Sequence, residues 1–135
     1  MTAVRSTFLR TVIGLDAAAC GLMGAGFAFD AGLLAGPLGL SPAFMQPLGL
    51  FLIVYAAGLV VLAARKSLPR AAVWTLVAFN VAWAVESIGI MALGWIQPTA
   101  LGIAFVAAQA VAALVVGDLQ YIVLRRARRE AAALV

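Results

Sequence analysis

The clearest feature of the sequence is a charge-free apolar run at residues 48–64, LGLFLIVYAAGLVVLAA, which ends at Arg65 and Lys66. The hydrocarbon core of a bilayer is about 30 Å thick, so about 20 apolar residues in helical conformation are needed to cross it. Together with the residues before it, this run is long enough, and three comparable runs occupy the rest of the chain. The sequence therefore predicts an all-α membrane protein, a four-helix bundle made of two helical hairpins.

The predicted spans form one transmembrane domain over residues 1–135, which ends in a basic cytoplasmic tail at 125–135. Ser41 and Pro42 mark the start of the second span, because Ser caps helix N-termini and Pro suits the first helical position. Before them, a cluster of glycines and a proline at residues 32–39 indicates a loop. We expect helices at about residues 8–29, 41–64, 71–93 and 99–124.

The composition indicates that lipid is the solvent of this chain. Hydrophobic residues make up 66% of it and charged residues 10%, and the mean hydropathy is +1.14. Soluble domains carry roughly a quarter charged residues, so these charges cannot cover a water-facing surface. The net charge of +4 does not indicate a nucleic-acid partner, because the basic residues stand at the ends of apolar runs rather than along one face. We expect membrane lipid as the surroundings and no nucleic acid.

The basic residues predict the orientation. All nine Lys and Arg residues lie in the N-terminal segment, in the loop at 65–70 or in the tail, and the other two loops contain none. Because basic loops are retained in the cytoplasm, we expect a multi-pass protein of the bacterial inner membrane with both termini cytoplasmic. Four tail residues are expected either to contact anionic lipid headgroups or simply to end the last span: Arg125, Arg126, Arg128 and Arg129.

No residue pattern typical of catalysis or of cofactor binding is present. Histidine is absent and Cys20 is the single cysteine, which removes the commonest general base and every multi-thiolate metal site. There is no Gly-rich phosphate loop, zinc-ligand spacing or nucleophile elbow. We therefore expect no catalytic residue, no metal, no cofactor and no enzymatic activity.

Small residues on the first span predict close helix packing. Helices in lipid associate through van der Waals contact and hydrogen bonds, which favours small side chains at their interfaces. The same small residues are alternatively the seam of a homo-oligomer or a surface that docks onto a larger complex. The predicted packing positions are Gly14, Ala17, Gly21, Gly24 and Ala25.

Polar residues inside the spans are costly and are therefore functional candidates. At about 100° of rotation per residue, Asp118 lies nearly opposite Gln109 on the fourth span, and Glu86 points well away from Asn80 on the third. A stripe on the first span consists of Asp16, Cys20, Met23 and Phe27. We therefore expect that these groups do not all converge on one cavity. The six intramembrane candidates are Asp16, Tyr55, Asn80, Glu86, Gln109 and Asp118.

Three interpretations of these groups remain open. In the first, Tyr55, Asn80 and Gln109 hydrogen-bond across the bundle, while Asp16 and Asp118 either reach the inner interface or pair with basic residues at the ends of the spans. In the second, the carboxyl groups bind protons or cations transiently along a transport path. In the third, a polar helix side meets another subunit or a lipid-like ligand.

The chain resembles small bacterial four-span integral membrane proteins of unknown function. The resemblance is carried by Leu15-Asp16-Ala17, Asn80-x-x-Trp83, residues 98–102 (PTALG) and residues 118–121 (DLQY) running into Arg125-Arg126. It implies the four-helix architecture and transfers no active residue.

The functional expectation is a non-enzymatic protein that acts through assembly. It would be an accessory subunit of a membrane complex or a small homo-oligomer, with other membrane subunits or itself as partner. One alternative is a minimal proton or cation transporter or channel that uses the buried carboxylates. The other is a binder of a lipid-like small molecule in a groove lined by Trp74, Trp83 and Phe105.

Overall fold

The computed structural model describes residues 3–135, which form five helices and one small antiparallel sheet. Four helices are long and apolar enough to cross a membrane, so the predicted membrane four-helix bundle is confirmed. In chain order the elements are β1 (Ala3–Val4), α1 (Thr7–Phe29), α2 (Ala31–Leu38), α3 (Pro42–Ala64), β2 (Leu68–Pro69), α4 (Arg70–Ala92) and α5 (Ala100–Ala133).

Local capping explains where the long helices begin. The hydroxyl of Ser41 accepts a hydrogen bond from the backbone N–H of Phe44 at 3.2 Å, and Pro42 occupies the first turn of α3. Thr99 caps α5 in the same way, through the backbone N–H of Gly102 at 3.1 Å. These bonds satisfy backbone donors that have no partner inside the helix.

The structure differs from expectation at residues 31–38, where α2 replaces the predicted loop. Ala31 and Leu38 are buried and pack in a cluster with Phe27 and Met45. Burial of this apolar face stabilises the short helix despite its glycines, because tertiary packing commonly outweighs intrinsic propensity. The helix ends at Gly39, whose φ of 67° is a left-handed conformation that glycine adopts without strain.

The four spans pack as two pairs, α1 against α3 and α4 against α5, with fewer contacts between the pairs. Gly24 and Gly49 allow the backbones of α1 and α3 to touch, because a Cβ on Gly24 would lie 2.9 Å from the carbonyl oxygen of Gly49. In the second pair, Gly117 of α5 lies against Asn80 of α4, whose Cβ is 3.2 Å from the position of an added Cβ. Each pair is therefore a tightly packed hairpin.

The N-terminus and the loop between α3 and α4 meet at one end of the bundle. Val4 pairs with Leu68 in the β1–β2 sheet, and both are buried in a cluster with Leu124 of α5. The side chain of Arg10 donates from Nε to the carbonyl oxygen of Ala63 at 2.9 Å. The segments that carry the nine basic residues thus share this end, called the basic end below.

At the opposite end, α2 is joined to the start of α5. The backbone N–H of Thr99 donates to the carbonyl oxygen of Leu38 at 3.1 Å. The hydroxyl of Thr99 donates to the carbonyl oxygen of Pro37. Gly102 lies so close to Leu38 that any side chain there would overlap its carbonyl group.

Candidate functional site

A half-enclosed cleft separates the two hairpins and consists of two compartments. The distal compartment, toward α2, has a volume of about 210 Å³. The proximal compartment, toward the basic end, has a volume of about 180 Å³. Both are lined in common by Met23, Trp83 and Gln109, so they adjoin at these three side chains.

One interhelical hydrogen bond stands between the compartments. The indole Nε1 of Trp83 on α4 donates to Oε1 of Gln109 on α5. Gln109 also donates from Nε2 to the carbonyl oxygen of Val106 at 3.0 Å. The bond therefore holds the Trp83 ring between the compartments.

The distal compartment is mainly apolar. Its walls come from α1, α3, α4 and α5 and from the segments beside α2, and they include Phe27, Phe44 and Phe105. Its polar side chains besides Gln109 and the Trp83 indole are Glu86 and Ser87. A molecule held here would meet mostly hydrocarbon and aromatic surface.

The proximal compartment brings together three of the predicted polar candidates, Asp16, Asn80 and Gln109. The six candidates do not all converge on this cavity, as expected, but these three do. Asp16 lies on the predicted stripe of α1 with Cys20 and Met23, and the two hairpins turn this stripe toward Asn80 and Gln109. Cys20 and Phe79 line the same space.

Asp16 is buried, with 8% of its surface exposed. Its Oδ1 accepts a hydrogen bond from Sγ of Cys20 at 3.5 Å, and its Oδ2 has no partner. The predicted pairing of Asp16 with a basic residue is therefore not present within residues 3–135. Arg10, the nearest arginine in the sequence, bonds Ala63 through its Nε instead.

Asn80 and Gln120 form a buried hydrogen bond between α4 and α5. Nδ2 of Asn80 donates to Oε1 of Gln120 at 3.2 Å and to the carbonyl oxygen of Leu76 at 3.1 Å. The expected bonding of Asn80 across the bundle is thus made, but to Gln120. Tyr55 does not join it, because its ring stacks on Phe79 at 4.1 Å and its hydroxyl has no partner.

Glu86 and Asp118 are both exposed and lie apart from this polar group. Glu86 lines the distal compartment, whereas Asp118 faces away from the cleft. Asp118 shares a shallow surface hollow with Tyr121, Arg125 and Arg129. The four tail arginines lie on the last turns of α5, where all of them are exposed: Arg125, Arg126, Arg128 and Arg129.

The predicted packing residues of α1 have different surroundings. Ala17 and Gly24 are buried, and an added Cβ on Gly21 would lie 3.7 Å from the Cβ of Ala56. Gly14, by contrast, has open space where a side chain would point. Ala25 is half-buried.

The predicted aromatic groove is correct only in part. Trp83 and Phe105 line the distal compartment. Trp74 does not, because it packs edge-on against Tyr121 with ring centroids 5.8 Å apart, outside the cleft. Phe79 was not among the expected groove residues. It lies beside Trp83 and lines the proximal compartment.

Within residues 3–135, no group of three Cys, Asp or Glu side chains is placed to hold a metal ion. Comparisons of the chain with protein-family models, with curated proteins and with solved structures found no match. Function is therefore inferred from the cleft.

Proposed function

We propose that this protein binds an elongated, mostly apolar small molecule in the cleft between its hairpins and catalyses no reaction on it. The observation that carries the proposal is the pair of adjoining compartments of about 210 and 180 Å³. Small-molecule sites are typically concave and mostly apolar, with a few converging polar groups. The cleft has these properties.

The position of the free space favours a binding site over a packing defect. Protein interiors are close-packed and leave few voids larger than a water molecule. Inside the hairpins the helices pack closely, since Gly24 lies against Gly49 in one and Gly117 lies against Asn80 in the other. The space lies between the hairpins, where Met23 and several aromatic rings provide adaptable apolar walls.

The test is native mass spectrometry of the protein extracted gently from its own membranes. We expect additional mass from a bound apolar molecule. Ala113→Phe places a ring in the proximal compartment and should remove that mass. Ala108→Phe is the matched control, because Ala108 is exposed on the same helix and lines neither compartment; it should retain the mass. Wild-type protein that carries no small molecule would contradict the proposal.

The proposed location is the bacterial inner membrane, with both termini and the β2 loop in the cytoplasm. Support comes from the basic end, where all the segments with Lys and Arg lie together, since basic segments are retained inside. The tail arginines would then contact anionic lipids of the cytoplasmic leaflet. The resemblance to bacterial four-span proteins is in keeping with this location.

A second candidate function is assembly with another membrane subunit or with a second copy of the chain. Asp118 favours it, because it is exposed within α5 on the side away from the cleft, and an ionisable group facing lipid is costly unless a partner or water receives it. In the same mass spectra, an added polypeptide that Asp118→Leu removes would support assembly. Glu130→Leu, an exposed position beyond the span, is the control. A monomer that carries only a small molecule would exclude assembly.

A further inference from the structure

The proximal compartment contains a buried hydrogen-bond acceptor that has no partner. Oδ2 of Asp16 has no partner, and Asp16 is 8% exposed. None of the nearby donors bonds this oxygen, since Trp83 donates to Gln109 and Gln109 donates to Val106. Cys20 donates to the other oxygen of Asp16. A ligand group that satisfies this oxygen must therefore be a hydrogen-bond donor.

The charges and the aromatic surfaces of the cleft limit the chemical class of the ligand further. Neither compartment is lined by a Lys or Arg from residues 3–135, so a phosphate or carboxylate would be buried without a counter-ion, which is strongly unfavourable. Phe79 and Trp83 line the proximal compartment with ring centroids 5.8 Å apart. Aromatic faces attract cations, most strongly where water is excluded.

We propose that the molecule in the cleft is a cationic amphiphile, with its ammonium group against Asp16 and the rings of Phe79 and Trp83. Its apolar body passes Met23 and fills the distal compartment, where the walls are mostly hydrocarbon. The inference rests on the proposed function of the cleft. It adds the chemical class of the ligand and its orientation between the two compartments. The ammonium would pair with a carboxyl group that is otherwise buried with a free oxygen.

The experiment compares three probes with the same alkyl chain, namely dodecylamine, dodecanol and dodecanoic acid. The protein is reconstituted in phosphatidylcholine nanodiscs, which carry no net charge to concentrate the amine. Trp83 is made the single tryptophan by Trp74→Phe and Trp95→Phe, both at exposed positions, so that its fluorescence reports the cleft. Titrations of empty nanodiscs correct for partition into lipid. We expect the amine to bind at least about tenfold more tightly than the alcohol or the acid.

Asp16→Asn is the matched variant, because the amide keeps the size of the side chain and an oxygen for Cys20. It should lose the preference for the amine, yet bind dodecanol as before, which shows that the cleft is intact. Asp118→Asn makes the same change outside the cleft and should bind all three probes as the wild type does.

The outcomes separate the two proposals. Equal affinity of the wild type for the three probes would overturn the proposal that the ligand is cationic, whereas the proposal that the cleft binds small molecules would stand. An amine preference that persists in a folded Asp16→Asn protein would overturn it as well. If none of the probes changes the fluorescence of Trp83 in the wild type, the proposed function of the cleft itself fails. The wild-type titrations distinguish these cases even if the variant does not fold.

Discussion

Gly24 of α1 and Gly49 of α3 lie backbone against backbone, so that a Cβ on Gly24 would be 2.9 Å from the carbonyl oxygen of Gly49. Contact at this distance is closer than any other residue type allows. Helices in lipid depend on such van der Waals contact, because lipid tails provide no hydrophobic drive for their association. The pair therefore fixes the crossing of α1 and α3, which carry one wall of the cleft.

Gly49→Ala should destabilise the protein by about 1–3 kcal/mol, the usual cost of overpacking. The new Cβ would overlap the backbone of α1 at Phe27 and Ala28, and the backbone cannot move without separating the helices. The free energy of unfolding, measured by titrating SDS into detergent-solubilised protein, checks this. Gly58→Ala is the control on the same helix, because an added Cβ there meets nothing within 4 Å. Equal losses at the two positions would be inconsistent with the close crossing.

The hydrogen bond between Asn80 and Gln120 should contribute about 0.6 kcal/mol and at most about 1.7 kcal/mol, as measured for bonds between membrane helices. A double-mutant cycle of Asn80→Leu and Gln120→Leu isolates this coupling free energy from the cost of each substitution. Combining Asn80→Leu with Gln46→Leu is the control, since Gln46 is exposed on α3 and should show no coupling. A zero coupling for Asn80 and Gln120 would mean that the bond does not contribute.

Thr99→Val should destabilise the end of the bundle by about 0.5–2 kcal/mol, the usual range for a lost helix cap. The variant loses the bond that caps Gly102 and the bond that Thr99 donates to Pro37. We expect faster amide hydrogen exchange in α2, measured by mass spectrometry. Thr75→Val is the matched control, because the Thr75 hydroxyl bonds only within its own helix, to Ala71. Unchanged exchange in α2 would show that Thr99 does not restrain it.

The proposed orientation is tested with single cysteines in a Cys20→Ala background. A cysteine at Gln97, in the loop at the distal end, should react with a membrane-impermeant maleimide in intact spheroplasts. A cysteine at Ala132, at the exposed end of α5, should react only after the membrane is permeabilised. The reverse pattern would place the basic end outside.

The four spans could be predicted because lipid imposes a length and an apolar composition on every helix that crosses it. Local signals such as Ser41 and Pro42 also placed a helix start closely. The sides of single helices could be predicted too, since Asp16, Cys20 and Met23 do line one surface. The meeting of these sides in one compartment could not be predicted, because the rotation of one helix against another depends on contacts such as Gly24 with Gly49.

Structural features that depend on contacts between residues far apart in the chain could not be predicted from the sequence either. The helix α2 is stabilised by burial of Ala31 and Leu38 rather than by its own composition. The β1–β2 pairing joins segments of two residues each, too short for any strand pattern. Trp74 was expected in the groove, but its own helix carries no signal that its ring packs on Tyr121 instead.

The two bonds from Thr99 to Pro37 and Leu38 join positions about sixty residues apart in the chain. A ribosome makes α2 well before it makes Thr99, so α2 lacks these two bonds while the first three spans are being inserted. The distal mouth of the cleft therefore takes its final shape only when the last span enters the membrane. A hydrophobic guest present in the bilayer during synthesis would have its widest access before that moment, and would afterwards enter through the narrower, half-enclosed cleft of the finished protein.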